Sequence, residues 1–252
     1  MRVLWGGLLA GCVAAAVLVA VGPSRTAPVT PEVTRTESVR VLQMNLCNSG
    51  LAGCYTGRAV ATAADVIRAE APDVVTLNEV CQSDVAVLAR GGASAFRPAV
   101  DRRTGAAFRC RNGEPYGIAV LSRRPVVATT GGVYPRQNPA DPEERVWLCV
   151  DTAGLAVCTT HLDATNAAVA RAQCDHLIGT VLPARPAPTV LGGDFNLRSD
   201  VRRCLSSGGG RADDGGVQNV VVSAPLGIAG QRRIDMHATT DHPGLLVTLA
   251  VD

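Results

Sequence analysis

The chain has 252 residues, 47% of them apolar, and a formal net charge of +2; that length supports one sizeable core and is short for two. The small net charge and an aromatic content of 3% exclude a protein that holds nucleic acid mainly by overall charge or by an array of stacking rings. The chain contains arginine and no lysine, which suits bidentate phosphate contacts, but the pairs Arg102-Arg103, Arg123-Arg124, Arg202-Arg203 and Arg232-Arg233 read as solvated surface.

In chain order, Met1-Arg2 and the uncharged, mostly apolar run from Val3 to Gly22 read as an export signal or a membrane anchor. The run approaches the ~20 residues that span a bilayer and exceeds a usual signal core. Ala20-Val21-Gly22 has the spacing of a cleavage site, with Pro23 directly after it set against processing. Residues 23–37, rich in Pro, Thr and Val, lack any helical or strand period and form a linker. The globular domain is residues 38–252.

Within that domain, strand-like runs fall at Val39 to Leu46, Val74 to Asn78, Gly117 to Ser122, Val126 to Thr130, Val146 to Asp151, Leu155 to Thr160, Thr189 to Leu191, Val217 to Ser223 and Gly244 to Val251. Ala-rich helical stretches at Arg58 to Glu70, Ser83 to Arg90 and Asn166 to Val181 interleave with them. That alternation predicts an α/β or α+β domain in which sheets are covered by helices. The Gly-rich segment Ser206 to Gly216 reads as an exposed, mobile loop.

Beyond Cys12 the cysteines form an even set in a chain that reads as exported, which points to disulfides. No Cys-x-x-Cys pair supports zinc. A two-residue turn at Ala153-Gly154 would set Cys149 opposite Cys158 on a hairpin. Proximity pairs Cys47 with Cys54; Cys81 with Cys110 and Cys174 with Cys204 complete the set.

Polar residues recur where the strands stop. Asn45 follows Val39-Arg40-Val41-Leu42-Gln43-Met44, Glu79 follows Val74-Val75-Thr76-Leu77-Asn78, and His161-Leu162-Asp163 follows Val157-Cys158-Thr159-Thr160. Leu191-Gly192-Gly193-Asp194-Phe195-Asn196 presents a carboxylate and a carboxamide two residues apart beside glycines that permit close backbone approach. Asp241-His242 precedes Pro243 and the last strand. Each alone has an ordinary reading as a turn former, a cap or a solvated charge.

Together, in the order Asn, Glu, His, Asp-x-Asn, Asp-His, they resemble the endonuclease/exonuclease/phosphatase superfamily. The motifs are Gly193-Asp194-Phe195-Asn196 and Thr240-Asp241-His242-Pro243, supported by Pro72 to Glu79 and Tyr116 to Ser122. The resemblance implies a four-layered sandwich of two packed mixed β-sheets flanked by helices, with the site at one rim. It also implies Glu79 as principal ligand of a divalent metal, Mg²⁺ or Mn²⁺, with Asn45 and Asp241 completing the metal side. Asp194 would orient or deprotonate the attacking water, Asn196 would hold phosphate or nucleophile in line, and His161 and His242 would donate to the phosphoryl oxygens. Such a set answers the chemistry, because an attacking hydroxide is repelled by a phosphodiester unless a cation and hydrogen-bond donors offset the developing charge. Glu114 is a possible support for His161.

One position departs from the pattern. Where the family carries an Asp that supports the last histidine, this chain has Gln218; an amide accepts the imidazole N–H but does not stabilise an imidazolium. Weakened acid assistance by His242, and a faster Gln218→Asp variant, are the expectations. The function expected is that of an exported or surface-anchored monomeric phosphoesterase acting on DNA or RNA, its N-terminal segment meeting the membrane. A phospholipid or sphingomyelin phosphodiesterase and a catalytically weakened binding module are the alternatives.

Overall fold

The structure, a computed structural model, describes residue 2 and residues 38–198, 201–204 and 209–251. The compact unit that carries the fold runs Thr36–Asp252. Apart from residue 2, the expected leader (1–22) and linker (23–37) lie outside the described residues. No helix among the described residues is long and apolar enough to cross a membrane.

The elements, in order, are β1 (Ser38–Asn45), α1 (Ala59–Glu70), β2 (Val74–Cys81), α2 (Gln82–Ala89), β3 (Ala93–Pro98), β4 (Val100–Asp101), β5 (Tyr116–Ser122), β6 (Val126–Val133) and β7 (Glu143–Glu144). They continue with β8 (Val146–Thr152), β9 (Leu155–His161), α3 (Ala167–His176), β10 (Thr189–Asp194), α4 (Val201–Cys204), β11 (Arg211–Asp213), β12 (Gln218–Val222), β13 (Leu226–Ile234) and β14 (Gly244–Val251). Asn166 caps α3 by accepting from the backbone N–H groups of Ala168 and Val169, and α3 passes into a π turn, Leu177–Val181.

Two six-stranded mixed sheets result, one ordered β13-β14-β1-β2-β5-β3 and the other β11-β12-β10-β9-β8-β6; β4 and β7 form a separate ribbon. Each sheet has one parallel pair at its centre, β1 with β2 and β9 with β10. Helices α1 and α3 are the crossovers that parallel pairing demands.

Three apolar clusters make the layers. Val39, Val41, Val74, Val120, Val157, Val190, Val220 and Val247 pack between the sheets. Leu42, Met44, Val75 and Leu77, from the alternate positions of β1 and β2, meet Ala59, Ala63, Val85 and Leu88 of the helices. Leu191, Cys149 and Cys158 meet Ala170, Cys174 and Leu177. This is the four-layered sandwich, and it follows from strands whose two faces are both apolar and therefore both need cover.

All four disulfides form as the spacing suggested: Cys47–Cys54, Cys81–Cys110, Cys149–Cys158 and Cys174–Cys204. Cys149 and Cys158 are direct cross-strand partners in the β8–β9 hairpin. Four such bonds suit an oxidising compartment.

Some strands escape a sequence reading. β3, β4, β7, β11 and β13 sit at sheet margins or in the small ribbon, where one-sided burial leaves little apolar signal. The expectation that Ser206 to Gly216 is one exposed loop is corrected over its described part, because Arg211–Asp213 is a strand and Asp214 is buried. Residues 206–208 lie outside the described residues.

Candidate active site

Along each central strand the side chains that face the opposite sheet change from aliphatic to polar as one rim approaches. In β1 they read Val39, Val41, Gln43, Asn45; in β2, Val74, Thr76, Asn78; in β9, Leu155, Val157, Thr159, His161; in β10, Val190, Gly192, Asp194. Gln43, Thr76, Asn78, Thr159 and Gln218 are fully buried, and buried polar groups must find partners. They find one another. Gln43 Nε2 donates to Asn78 Oδ1 at 2.7 Å and to Gln218 Oε1 at 2.8 Å, and Thr76 Oγ1 donates to Gln43 Oε1. Asn78 Nδ2 donates to the Thr160 carbonyl at 2.9 Å, and Asn78 Oδ1 accepts from the backbone N–H of Asp194 at 2.8 Å. A Cβ on Gly192 would run into Thr76 Oγ1, so glycine is what lets the two sheets approach here.

Above this polar layer the functional side chains converge. The register of β2 against β5 shifts between Leu77 and Val80, a bulge that places Glu79 at φ 55° and turns its carboxylate to the rim. Asn45 Nδ2 bridges the sheets, 2.8 Å from Glu79 Oε1 and 3.2 Å from Asp194 Oδ2. His242 Nε2 stands 3.6 Å from both Asp194 Oδ2 and Asp241 Oδ1. His161 Nε2 stands 3.9 Å from Glu79 Oε1. Asn196, at φ 52°, is tied down by its backbone N–H to Asp194 Oδ1 at 3.0 Å and by its side-chain N–H to the Leu162 carbonyl at 3.0 Å. Non-glycine residues held at positive φ are uncommon and cluster where function outweighs local strain.

Glu79, His161, Asp194, Asn196, Asp241 and His242 thus line one cavity of about 500 Å³. Asn45 lies just beneath it, its backbone carbonyl accepting from Thr240 Oγ1 at 3.0 Å. Seven of the nine residues expected from the sequence therefore meet at one rim. Glu114 does not: it accepts from the Ser83 backbone N–H at the start of α2. Gln218 lies under the cavity, its Nε2 3.4 Å from Asp194 Oδ2, with no hydrogen bond to His242 among the described residues. The expectation that Gln218→Asp speeds the reaction loses its geometric basis, since an Asp there would replace a donor to Asp194 by a second carboxylate.

Burial raises the proton affinity of Glu79 above the usual carboxylate range, against the Asn45 hydrogen bond and Arg145, and the Asp194 and Asp241 carboxylates add to the rise. Asp194 is raised for the same first cause, opposed by His242 and Asn45. Glu79, Glu143, Asp194 and Asp241 put four carboxylates around one cavity, the first three raised in proton affinity, and such hard oxygens are the donor type that a divalent cation of the magnesium type takes.

Arg145 lines the same cavity and is a candidate site residue that the sequence reading missed. Its guanidinium is buried and bonds His161 Nδ1 at 2.9 Å, with Asp141 and Glu143 each 3.3 Å away. Arginine has no acceptor, so Nδ1 must accept and Nε2 must carry the proton. Burial pushes the His161 pKa well below 6.5, and Arg145 and His242 add to the effect; His161 is a neutral donor aimed at Glu79 and the cavity. Nothing in the sequence distinguishes Arg145 from its run Glu143-Glu144-Arg145, which reads as solvated charge.

Residues 43–244 match the model of the Endonuclease/Exonuclease/phosphatase family. No curated protein matches the chain. Among solved structures, the fold resembles that of an endonuclease/exonuclease/phosphatase from Beutenbergia cavernae, 24% identical with a TM-score of 0.65, over 85% of this chain and 72% of that one. It also resembles the human Nocturnin catalytic domain with bound sulfate, 18% identical with a TM-score of 0.66, over 85% of this chain and 94% of that one. A mannosyl-6-phosphatase from Bacteroides thetaiotaomicron is 13% identical with a TM-score of 0.60, over 84% of this chain and 99% of that one. At these identities the likeness extends to the fold and leaves the substrate open.

Proposed function

Because the chain belongs to the endonuclease/exonuclease/phosphatase family, we propose that it is an exported, divalent-metal-dependent phosphoesterase that hydrolyses phosphodiester bonds, with nucleic acid as the substrate. The observation that carries this reading is the convergence of Glu79, His161, Asp194, Asn196, Asp241 and His242 on one cavity. Glu79 and Asp241 would hold the cation, Mg²⁺ or Mn²⁺, with Asn45 orienting Glu79. Bound there, it would supply positive charge to a phosphoryl oxygen.

The chain's own side chains do the rest. Asp194, buried and raised in proton affinity, accepts a proton from the attacking water, as a general base should. Asn196, held at both its backbone and side-chain N–H, fixes the line of attack. His161 donates from Nε2 without changing charge, and His242, at the cavity mouth, donates to the remaining phosphoryl oxygen.

A phospholipid head group is the second reading. Leu51 and Tyr55, 57% and 40% exposed, lie in and next to the disulfide-closed loop that borders the cavity, and such residues can enter a lipid surface. The test uses the full-length, disulfide-bonded chain on supercoiled plasmid with Mg²⁺ or Mn²⁺, beside phosphatidylcholine and sphingomyelin in mixed micelles. Plasmid nicking that chelator abolishes is expected. Asp194→Ala with His242→Ala should lose at least ~10²-fold in rate, and Glu79→Ala should lose saturable metal binding. Turnover of lipid with no nicking would overturn the nucleic-acid reading.

A further inference from the structure

Beyond the catalytic residues the chain builds a second, basic cavity of about 230 Å³, lined by Arg198, Arg202, Arg211, Asp213 and Asn219. Arg211 is engaged by Asp213, whereas Arg198 and Arg202 are exposed and make no ion pair among the described residues. Among the described residues that line the cavity, three guanidiniums stand against one carboxylate. Its polar floor is Asn219, 1% exposed, whose Oδ1 is buried without a hydrogen-bond partner among the described residues. An orphaned buried acceptor costs free energy until a donor reaches it.

The cavity is coupled to the catalytic loop. Asn219 Nδ2 donates at 2.8 Å to the Val217 carbonyl, which also accepts at 3.0 Å from the backbone N–H of Phe195, the residue between Asp194 and Asn196. Arg198 follows Asn196 by two residues, so their Cα atoms lie within about 7 Å of each other. Gln218 faces the inter-sheet layer and Asn219, the next residue, the other side of the strand. The basic cavity therefore stands next to the catalytic one, around the sheet edge, and is not part of it.

We propose that this cavity is a subsite for a second, non-reacting sugar phosphate of the substrate, next to the phosphodiester that is cleaved. Arg198 and Arg202 would bind the phosphate, as guanidinium forks suit it, and in an RNA strand the adjoining 2′-hydroxyl would supply the donor that Asn219 Oδ1 lacks. The inference rests on the phosphoesterase reading and narrows it to substrates with consecutive phosphates, as in a polynucleotide strand.

The experiment measures binding of the full-length chain to a fluorescein-labelled single-stranded RNA 12-mer by anisotropy, in chelator and across a salt series. Turnover of bis(4-nitrophenyl) phosphate, which has one phosphate and no sugar, is followed separately with Mn²⁺. In Arg198→Gln/Arg202→Gln, affinity for the oligonucleotide should weaken about tenfold or more, and the slope of log affinity against log salt should become shallower by about 0.7, the value for one phosphate contact on a single strand. The ratio of kcat/KM on the oligonucleotide to that on the small diester should fall alongside. Arg198→Lys/Arg202→Lys should keep most of the salt slope. Unchanged affinity and slope in the Gln variant would overturn the subsite, as would an equal change in Arg123→Gln/Arg124→Gln at the opposite rim. Failure of the parent to turn over the small diester would instead count against the phosphoesterase reading, so the two failures are distinct.

Discussion

At the scale of single residues, the contact with most chemical content is that of Arg145 with His161. It fixes a tautomer that the imidazole would otherwise exchange, and it adds to the burial that already makes protonation of His161 unfavourable. Removing the guanidinium alone would strand the Glu143 carboxyl, which burial already pushes up to about 7, and a stranded buried charge is strongly destabilising. The informative variant is therefore Arg145→Gln combined with Glu143→Gln. It should lower kcat by about tenfold to a hundredfold, the range seen when groups that orient a site histidine are lost. Any histidine limb of the kcat profile should move up toward the ordinary value of about 6.5 without reaching it, because the burial that lowers His161 most remains. In nitrogen NMR, His161 Nδ1 should lose its pyridine-type signature. A merely structural Arg145 would lower stability and leave both the signature and the shape of the profile as they were.

At the scale of elements, the Cys47–Cys54 loop is held apart from the core packing and against the site. Leu51 and Ala52 line the catalytic cavity, the backbone N–H of Cys47 donates to Asn45 Oδ1 at 3.0 Å, and the Arg111 N–H donates to the Ser49 carbonyl at 2.8 Å. Cys47→Ser/Cys54→Ser should lower kcat/KM more than it lowers the denaturation midpoint. Loss of the hairpin bond, in Cys149→Ala/Cys158→Ala, should do the reverse, costing about 2–4 kcal/mol while the site keeps its geometry. Equal activity losses in the two variants would mean that the rim loop has no local role. The same elements explain what the sequence disclosed. β1, β2, β9 and β10 are legible because apolar side chains on both faces make mostly apolar runs, and their terminal Asn45, Glu79, His161 and Asp194 stand out against those runs. The layer beneath was equally present, as Gln43, Thr76 and Asn78 at alternate positions. It went unread because a polar residue inside a strand signals its partner in another sheet only when the pairing is known. β13 stayed hidden because Gly230, Gln231, Arg232 and Arg233 are exposed and carry no alternation.

At the scale of the whole molecule, the fold places two parallel strand pairs so that their carboxyl ends share one rim, and the polar layer and four carboxylates, Glu79, Glu143, Asp194 and Asp241, concentrate there. That arrangement works against stability when no cation is bound. Glu79 and Asp194 both bind protons more tightly in the folded chain than the usual carboxylate does. Their contribution is therefore fully present below the ordinary carboxylate range near pH 4 and is lost as pH rises through their raised values. Metal-free protein should thus become less stable from pH 4 toward neutrality, beyond what surface carboxylates produce. Mg²⁺ at about a hundred times its Kd should restore about 2.7 kcal/mol at pH 7.5, a rise in Tm of roughly 5–11 °C for a domain of this size. Glu79→Gln removes one charge and keeps an acceptor for Asn45, so its metal-free form should melt above the parent's while the Mg²⁺-dependent rise disappears. Thermal melts of both proteins with and without chelator at pH 5 and pH 7.5 decide the matter. A Glu79→Gln chain that melts below the parent in chelator, or that keeps the full Mg²⁺ rise, would mean that the rim carboxylates are not held together for a cation.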